Sequence, residues 1–127
     1  MLSKANFLDG YGHDVEDIPT EPFNLIVSAD VLCYFGAMDE ILTVFSDRLA
    51  AGGDVIFTTE TMKAGDYNWV ETSSGRYAHS PEYVARLAAN AGLAKVSQTA
   101  FTPRMESGEK VLGIMHIFTK QKGPPPL

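Results

Sequence analysis

The run FNLIVSADVL, Phe23 to Leu32, limits the fold more than any other part of the chain. In an extended segment Phe23, Leu25 and Val27 fall on one face and Ile26 on the other. A strand apolar on both faces is usually covered on both, as in a parallel sheet flanked by helices. The next segment fits that setting. From Met38 to Ala50, the residues Met38, Ile41, Leu42, Phe45 and Leu49 recur at steps of three and four, which predicts an amphipathic helix. Gly52 and Gly53 are expected to stop it. DVIFTTE, Asp54 to Glu60, then reads as a second buried strand.

HSPEYVARLAANAGL carries the strongest local signal. Ser80 is a natural N-cap, Pro81 suits the first helical position and Glu82 the first turn. Tyr83, Val84, Leu87, Ala88 and Ala91 form its buried stripe, and Gly92 closes it. Two extended stretches follow, Ala94 to Phe101 and Lys110 to Lys120, with TPRMESGE as a polar turn region between them. Consecutive strands with a short link predict an antiparallel pair. The order is therefore strand, helix, strand, helix, strand, strand, which predicts an α/β sheet with mostly parallel strands. DGYGHDVEDIPTEP reads as loop. The long polar and aromatic connection TMKAGDYNWVETSSGRYAH has the length of a functional loop.

Composition narrows the class. The 127 residues suit one domain, and the 45% hydrophobic content suffices for a core. A net charge of −6 argues against a nucleic-acid backbone or an anionic membrane as partner. The single cysteine, Cys33, excludes an internal disulfide and points to a reduced, cytoplasmic setting. Lying in an apolar run, it reads as a small core hydrophobe. MLSKANFLDG shows neither a secretory signal nor a membrane span. Residues 1–120 read as one partial domain and 121–127, ending in GPPPL, as a Pro-rich tail.

The stretch FNLIVSADVLCYFGAMDEILTVFSDRLAAGGDVIFTTE resembles the centre of a class I S-adenosylmethionine-dependent methyltransferase. That family has a strand of the type F-D-L-I-x-x-x-x-V-L-x-Y, a helix ending L-x-P-G-G and a strand of the type x-x-x-F-T-x-E. Here these are Phe23 to Tyr34, Leu49 to Gly53 and Val55 to Glu60, with Asn24 for the usual acid and Ala51 for the usual proline. SGRYAHSPEYVARLAANAGL resembles a bacterial subgroup related to methyltransferases carried behind tetratricopeptide repeats. The resemblance implies a Rossmann-like sheet in the order opening strand, Val55 strand, last strand, Val96 strand. The first strands and glycine-rich turn of the family do not precede Phe23, and MLSKA matches the family's helix after the second strand. The sequence thus reads as the C-terminal half of such a domain, and the isolated chain is expected to be inactive.

The implied cofactor is S-adenosylmethionine. By resemblance, Asp14 in GHDVEDIP would accept from the adenine amino group and the Val15 N–H would meet the ring. Ser28, Ala29 and Asp30 would lie at the carboxyl end of the opening strand, where ligands of open α/β sheets sit. Small side chains there leave room for the methionine part. Asp30 and Tyr34 would face the methyl group or acceptor, although Asp30 reads equally as a turn cap and Tyr34 as core. His79 is the candidate base, since histidine titrates near neutral pH. Arg76 is the candidate contact for a substrate carboxylate or phosphate, beside Tyr77. The plainer alternatives are a helix-bracing His79 and an Arg76 on a solvated loop. His13 and His116 are weaker candidates, and no metal cluster is visible in the sequence. Two further readings stay open: a non-catalytic binding or assembly module of the same ancestry, and another nucleotide-binding α/β protein. With one edge of the opening strand bare, the chain is expected to form a homo-oligomer through Phe23 to Leu32.

Overall fold

The computed structural model describes residues 22–62 and 66–122. The expectations for His13, Asp14 and Val15 lie outside the described residues. The elements are β1 (Phe23–Ser28), α1 (Asp39–Arg48), β2 (Leu49–Thr61), β3 (Trp69–Glu71), β4 (Tyr77–His79), α2 (Pro81–Asn90), β5 (Leu93–Glu106) and β6 (Glu109–Lys120), with a 3₁₀ turn over Leu32–Tyr34. Among them, no helix is long and apolar enough to cross a membrane.

β1 runs parallel to β2, β6 antiparallel to β2 and β5 antiparallel to β6. The order β1-β2-β6-β5 is the one the resemblance implies. β4 also pairs with β2 in parallel, with Glu60 opposite Ala78. Because β6 already pairs with Glu60 through Gly113, β4 lies on β1's side of β2, beyond the carboxyl end of β1.

One face of the sheet is packed. Ile26, Val55, Phe57 and Phe118 are buried against Ile41, Leu42 and Phe45 of α1 and Tyr83, Val84 and Ala88 of α2. Phe57 stacks at 5.8 Å on Phe118 and meets Phe45 at 5.8 Å. Burying a side chain of this size contributes roughly 1.5–3 kcal/mol. The α2 start is built as the sequence predicts: the Tyr83 N–H donates to Ser80 Oγ at 3.2 Å, with Pro81 at the first turn. The Tyr83 hydroxyl in turn accepts from the Met38 N–H at 3.0 Å and ties the two helix starts together.

Several boundaries differ from the expectation, each for a local reason. α1 ends at Arg48, not Ala50, because Leu49 turns extended, is buried and pairs with Phe23. The Lys120 ammonium donates to the carbonyls of Ser46 and Leu49, at 2.7 and 3.0 Å, and satisfies that helix end. Gly52 is therefore inside β2, where its φ of +81 gives the strand's first part an irregular course. β1 stops at Ser28 because Asp30 takes a φ of +57. TPRMESGE is mostly strand: β5 continues to Glu106, and only Ser107 and Gly108, at φ +50 and +81, make the turn. The long connection after β2 contains the β3–β4 hairpin.

The clearest correction concerns the opening strand. Ile26 is buried, but Leu25 and Val27 are 55% and 62% exposed. Among the described residues both helices pack on the same side, so the expected cover exists on one face only.

Candidate functional site

Asp30 leaves β1 in the left-handed region, a conformation that costs a non-glycine residue roughly 1–2 kcal/mol. Asp is among the residues that tolerate it best. Its N–H donates to Thr58 Oγ1 of β2 at 3.0 Å. The chain then forms the 3₁₀ turn, which buries Leu32 and Cys33 and leaves Tyr34 exposed.

Near the end of β2, beside this turn, lies Glu60, whose side chain is 9% exposed. A carboxylate so enclosed requires cations. It has two. Arg76, from the β3–β4 turn, donates from Nε to Glu60 Oε2 at 2.7 Å. Arg104, from β5, donates from Nη1 to Oε2 at 2.9 Å and from Nη2 to Oε1 at 3.2 Å. Burial pushes the Glu60 carboxyl up, but the bonds from Arg104 and Arg76 outweigh it and hold it below the usual carboxylate range. Burial likewise works against the Arg76 charge; the Glu60 bond overcomes it and holds the guanidinium above its ordinary value.

The outer side of Arg76 reaches the β1 loop. Nη2 donates to Asp30 Oδ1 and Nη1 to the Tyr34 hydroxyl at 3.3 Å, while the guanidinium carbon lies 5.2 Å from the Tyr34 ring centre. The structure thus brings together three residues singled out in the sequence, Asp30, Tyr34 and Arg76, and Tyr34 is a surface ring, not core. It adds Glu60 and Arg104. Alongside runs a cleft of about 250 Å³ with Ala29, Asp30 and Cys33 on one wall, Thr58, Thr59 and Glu60 on its floor and Phe101, Pro103 and Arg104 opposite. A larger hollow of about 830 Å³ lies by Tyr67 and the start of α2, away from these charges. Asp30, Cys33 and Glu60 bring ligand atoms within 4.8 Å of one another, but Arg76 and Arg104 already occupy the carboxylates. Burial pushes the Cys33 thiol up, with Arg76 opposing.

The other candidates stand apart. Ser28 is half-buried at the strand end. Tyr77 packs edge-to-face on Trp69, ring centres 5.6 Å apart. His79 is fully buried. Its Nε2 donates to the carbonyls of Phe35 and Gly36, at 2.7 and 2.9 Å, which leaves Nδ1 unprotonated and without a partner among the described residues. Burial pushes its pKa down, and the two carbonyls only partly offset that. In this geometry His79 braces the loop after the 3₁₀ turn. His116 is also fully buried, between Thr59 Oγ1 at 2.8 Å and Gln98 Nε2 at 3.1 Å.

Glu60 was visible in the sequence only as the last residue of a strand. The usable signal was an acid ending an apolar run, which calls for a buried cation. Arg104 was hidden in an assumed turn and reaches Glu60 because the β5–β6 hairpin is longer than its polar sequence suggests.

No protein-family model and no curated protein matches the sequence. Solved structures do. NodS, an N-methyltransferase from Bradyrhizobium japonicum WM9 solved with S-adenosyl-L-homocysteine, aligns with 83% of this chain at 21% identity and a TM-score of 0.56. A methyltransferase from Methanosarcina mazei aligns with 82% of the chain at 12% identity and a TM-score of 0.61. Phosphoethanolamine N-methyltransferase 2 from Haemonchus contortus, solved with S-adenosyl-L-methionine, aligns with 80% at 13% identity and a TM-score of 0.62. The chain covers 50% of NodS, 63% of the Methanosarcina protein and 34% of the Haemonchus enzyme. The described helices and strands therefore have the fold of the class I S-adenosylmethionine-dependent methyltransferases.

Proposed function

We propose that this chain supplies the part of a methyltransferase site built on the carboxyl ends of β1 and β2, and that methyl transfer from S-adenosylmethionine is the activity it contributes to. One observation carries the reading. The Asp30–Arg76–Glu60 chain and the cleft beside it sit where open α/β sheets of this kind receive ligands. S-adenosylmethionine supplies a sulfonium whose methyl group is already electrophilic. The protein's task is then to align an acceptor and exclude water, for which proximity provides up to roughly 7–11 kcal/mol.

The residues present fit one end of that cofactor. Ala29 and Thr58 are small and leave the cleft open, and Asp30 presents a carboxylate at its rim. The adenine end is assigned to Asp14 and Val15 by the sequence resemblance alone. Arg76 and the Tyr34 ring face the acceptor side. His79 serves as a brace, because its Nε2 is committed to two carbonyls and the ring has no contact with solvent. The test is titration of the ¹⁵N-labelled chain with S-adenosylhomocysteine. Amide shifts concentrated at Ala29, Asp30 and Thr58, with millimolar affinity, support the reading. A saturating titration that leaves these three amides unmoved overturns it.

A second reading, assembly through β1, is favoured by a separate observation. Among the described residues β1 pairs only with β2, and Leu25 and Val27 are open to solvent. An apolar strand in that state is a template for a second copy. Concentration-dependent sedimentation supports it, and a monomer at high concentration refutes it.

A further inference from the structure

The two sides of Arg76 are anchored very differently. Nε is bonded to Glu60, which is 9% exposed and also held by both amino groups of Arg104. The outer amino groups are bonded to Asp30, which is 72% exposed, and to the exposed Tyr34 hydroxyl at a long 3.3 Å. An ion pair with one partner in solvent shifts an equilibrium by only about 2- to 5-fold, whereas an enclosed charge cannot leave its partner cheaply. The inner bond is therefore permanent and the outer ones are exchangeable.

The segment they hold is tethered at its other end. His79 grips the carbonyls of Phe35 and Gly36, and Gly36 lies against the Trp69 ring, where a Cβ would come within 2.9 Å of a ring carbon. Leu32 and Cys33 are buried, Leu32 in the core, so the loosely held part is Ala29 to Val31 with the Tyr34 side chain, tied by Arg76 and by one hydrogen bond from the Asp30 N–H to Thr58. This stretch can move while Leu32, Cys33 and Gly36 stay fixed.

We propose that Arg76 is an exchangeable latch: its Nε remains on Glu60 while its outer amino groups pass from Asp30 and Tyr34 to a carboxylate or phosphate group of the acceptor, which frees Ala29, Asp30, Val31 and the Tyr34 side chain and opens the cleft beside Ala29 and Asp30. A planar guanidinium fork suits such a group bidentately. Arg104 keeps Glu60 in place during the exchange. The proposal rests on the methyl-transfer reading only in calling the anion the acceptor's.

The test uses inorganic phosphate and, separately, acetate, against sodium chloride at matched ionic strength and pH. The readouts are amide exchange at Asp30 and Tyr34, whose N–H groups bond to Thr58 and Val31, and the alkylation rate of Cys33, which lines the cleft. Saturating anion is expected to raise these rates by about 2- to 5-fold. Arg76→Gln is expected to raise them without anion and to abolish the response. Asp30→Asn removes the internal competitor and is expected to tighten anion binding by a similar factor, which a purely structural Arg76 would not produce. If Arg76→Gln does not fold, Asp30→Asn decides alone. A response to phosphate but not acetate assigns a phosphate-bearing acceptor, and a response to both assigns anions generally. No response to either anion, an equal response in Arg76→Gln, or unchanged affinity in Asp30→Asn overturns the latch. The S-adenosylhomocysteine titration is scored independently, so loss of the latch and loss of the methyl-transfer reading are separable.

Discussion

Both faces of β1 and β2 carry apolar residues in sequence, and the structure buries them unequally. Ile26, Val55 and Phe57 point toward α1 and α2 and are buried. Leu25 and Val27, one residue away on either side of Ile26, are exposed. Alternation along a strand fixes which residues share a face. It does not say whether a layer lies on that face. Two helices cover one side of the described sheet, and the energetic weight should follow them.

The largest effect expected from this contrast comes from Phe57→Ala or Phe118→Ala. Each removes a ring from the stacked, fully buried side, with an expected loss of about 3–5 kcal/mol. Urea denaturation measures it. A loss below about 1 kcal/mol would place the core elsewhere.

The covered face also holds two histidines, and acid should find them. Burial, with a smaller push from His79, takes His116 from its ordinary 6.5 to about 3, and burial lowers His79 in the same direction. Both are neutral when folded. The unfolded chain gains protons on them below about pH 6.5 and the folded chain does not. Stability is therefore full above that value and falls with decreasing pH, by at most about 1.4 kcal/mol per pH unit for each ring, with the His116 contribution extending down to about 3. Glu60, held below the usual carboxylate range, adds to the loss only at lower pH. A urea midpoint that is the same at pH 7.5 and pH 5 would contradict this account.

Next in size is Gly36→Ala. The added Cβ would lie 2.9 Å from the Trp69 ring, and overpacking of this kind costs roughly 1–3 kcal/mol. Trp69 is the chain's one tryptophan, so its fluorescence reports the displacement directly. An unchanged spectrum and midpoint would show that the hairpin does not press on the β1 loop.

Much of the fold was legible because its signals are local. Ser80, Pro81 and the stripe from Tyr83 announce α2; the sheet order follows from the family resemblance, and the mostly parallel sheet expected from strand–helix alternation is not found, because β6 runs antiparallel to both β2 and β5. What escaped depends on distant partners. Leu49 looked helical by its spacing and is extended because Phe23 pairs with it. Pro103 and Arg104 looked like turn residues and are strand because β6 pairs beside them through Val111. At the site, Asp30, Tyr34 and Arg76 stand out in the sequence by their chemistry alone. Their meeting depends on Glu60, 16 residues before Arg76 and 44 before Arg104, and no spacing rule connects those positions.

The smallest stability effect, and the sharpest test of the two-face contrast, is Leu25→Lys with Val27→Lys. Both side chains already face solvent in the described structure, so their replacement removes little packing. Surface changes of this kind fall within about 0.5 kcal/mol each. Their effect on association should be large by comparison. Two charges on a strand whose apolar side chains face solvent oppose pairing with a second copy, so sedimentation should change from concentration-dependent to monomeric while the urea midpoint barely moves. If instead the double variant loses several kcal/mol with no change in sedimentation, the open face is covered by the chain itself, and the inequality between the two faces of β1 disappears.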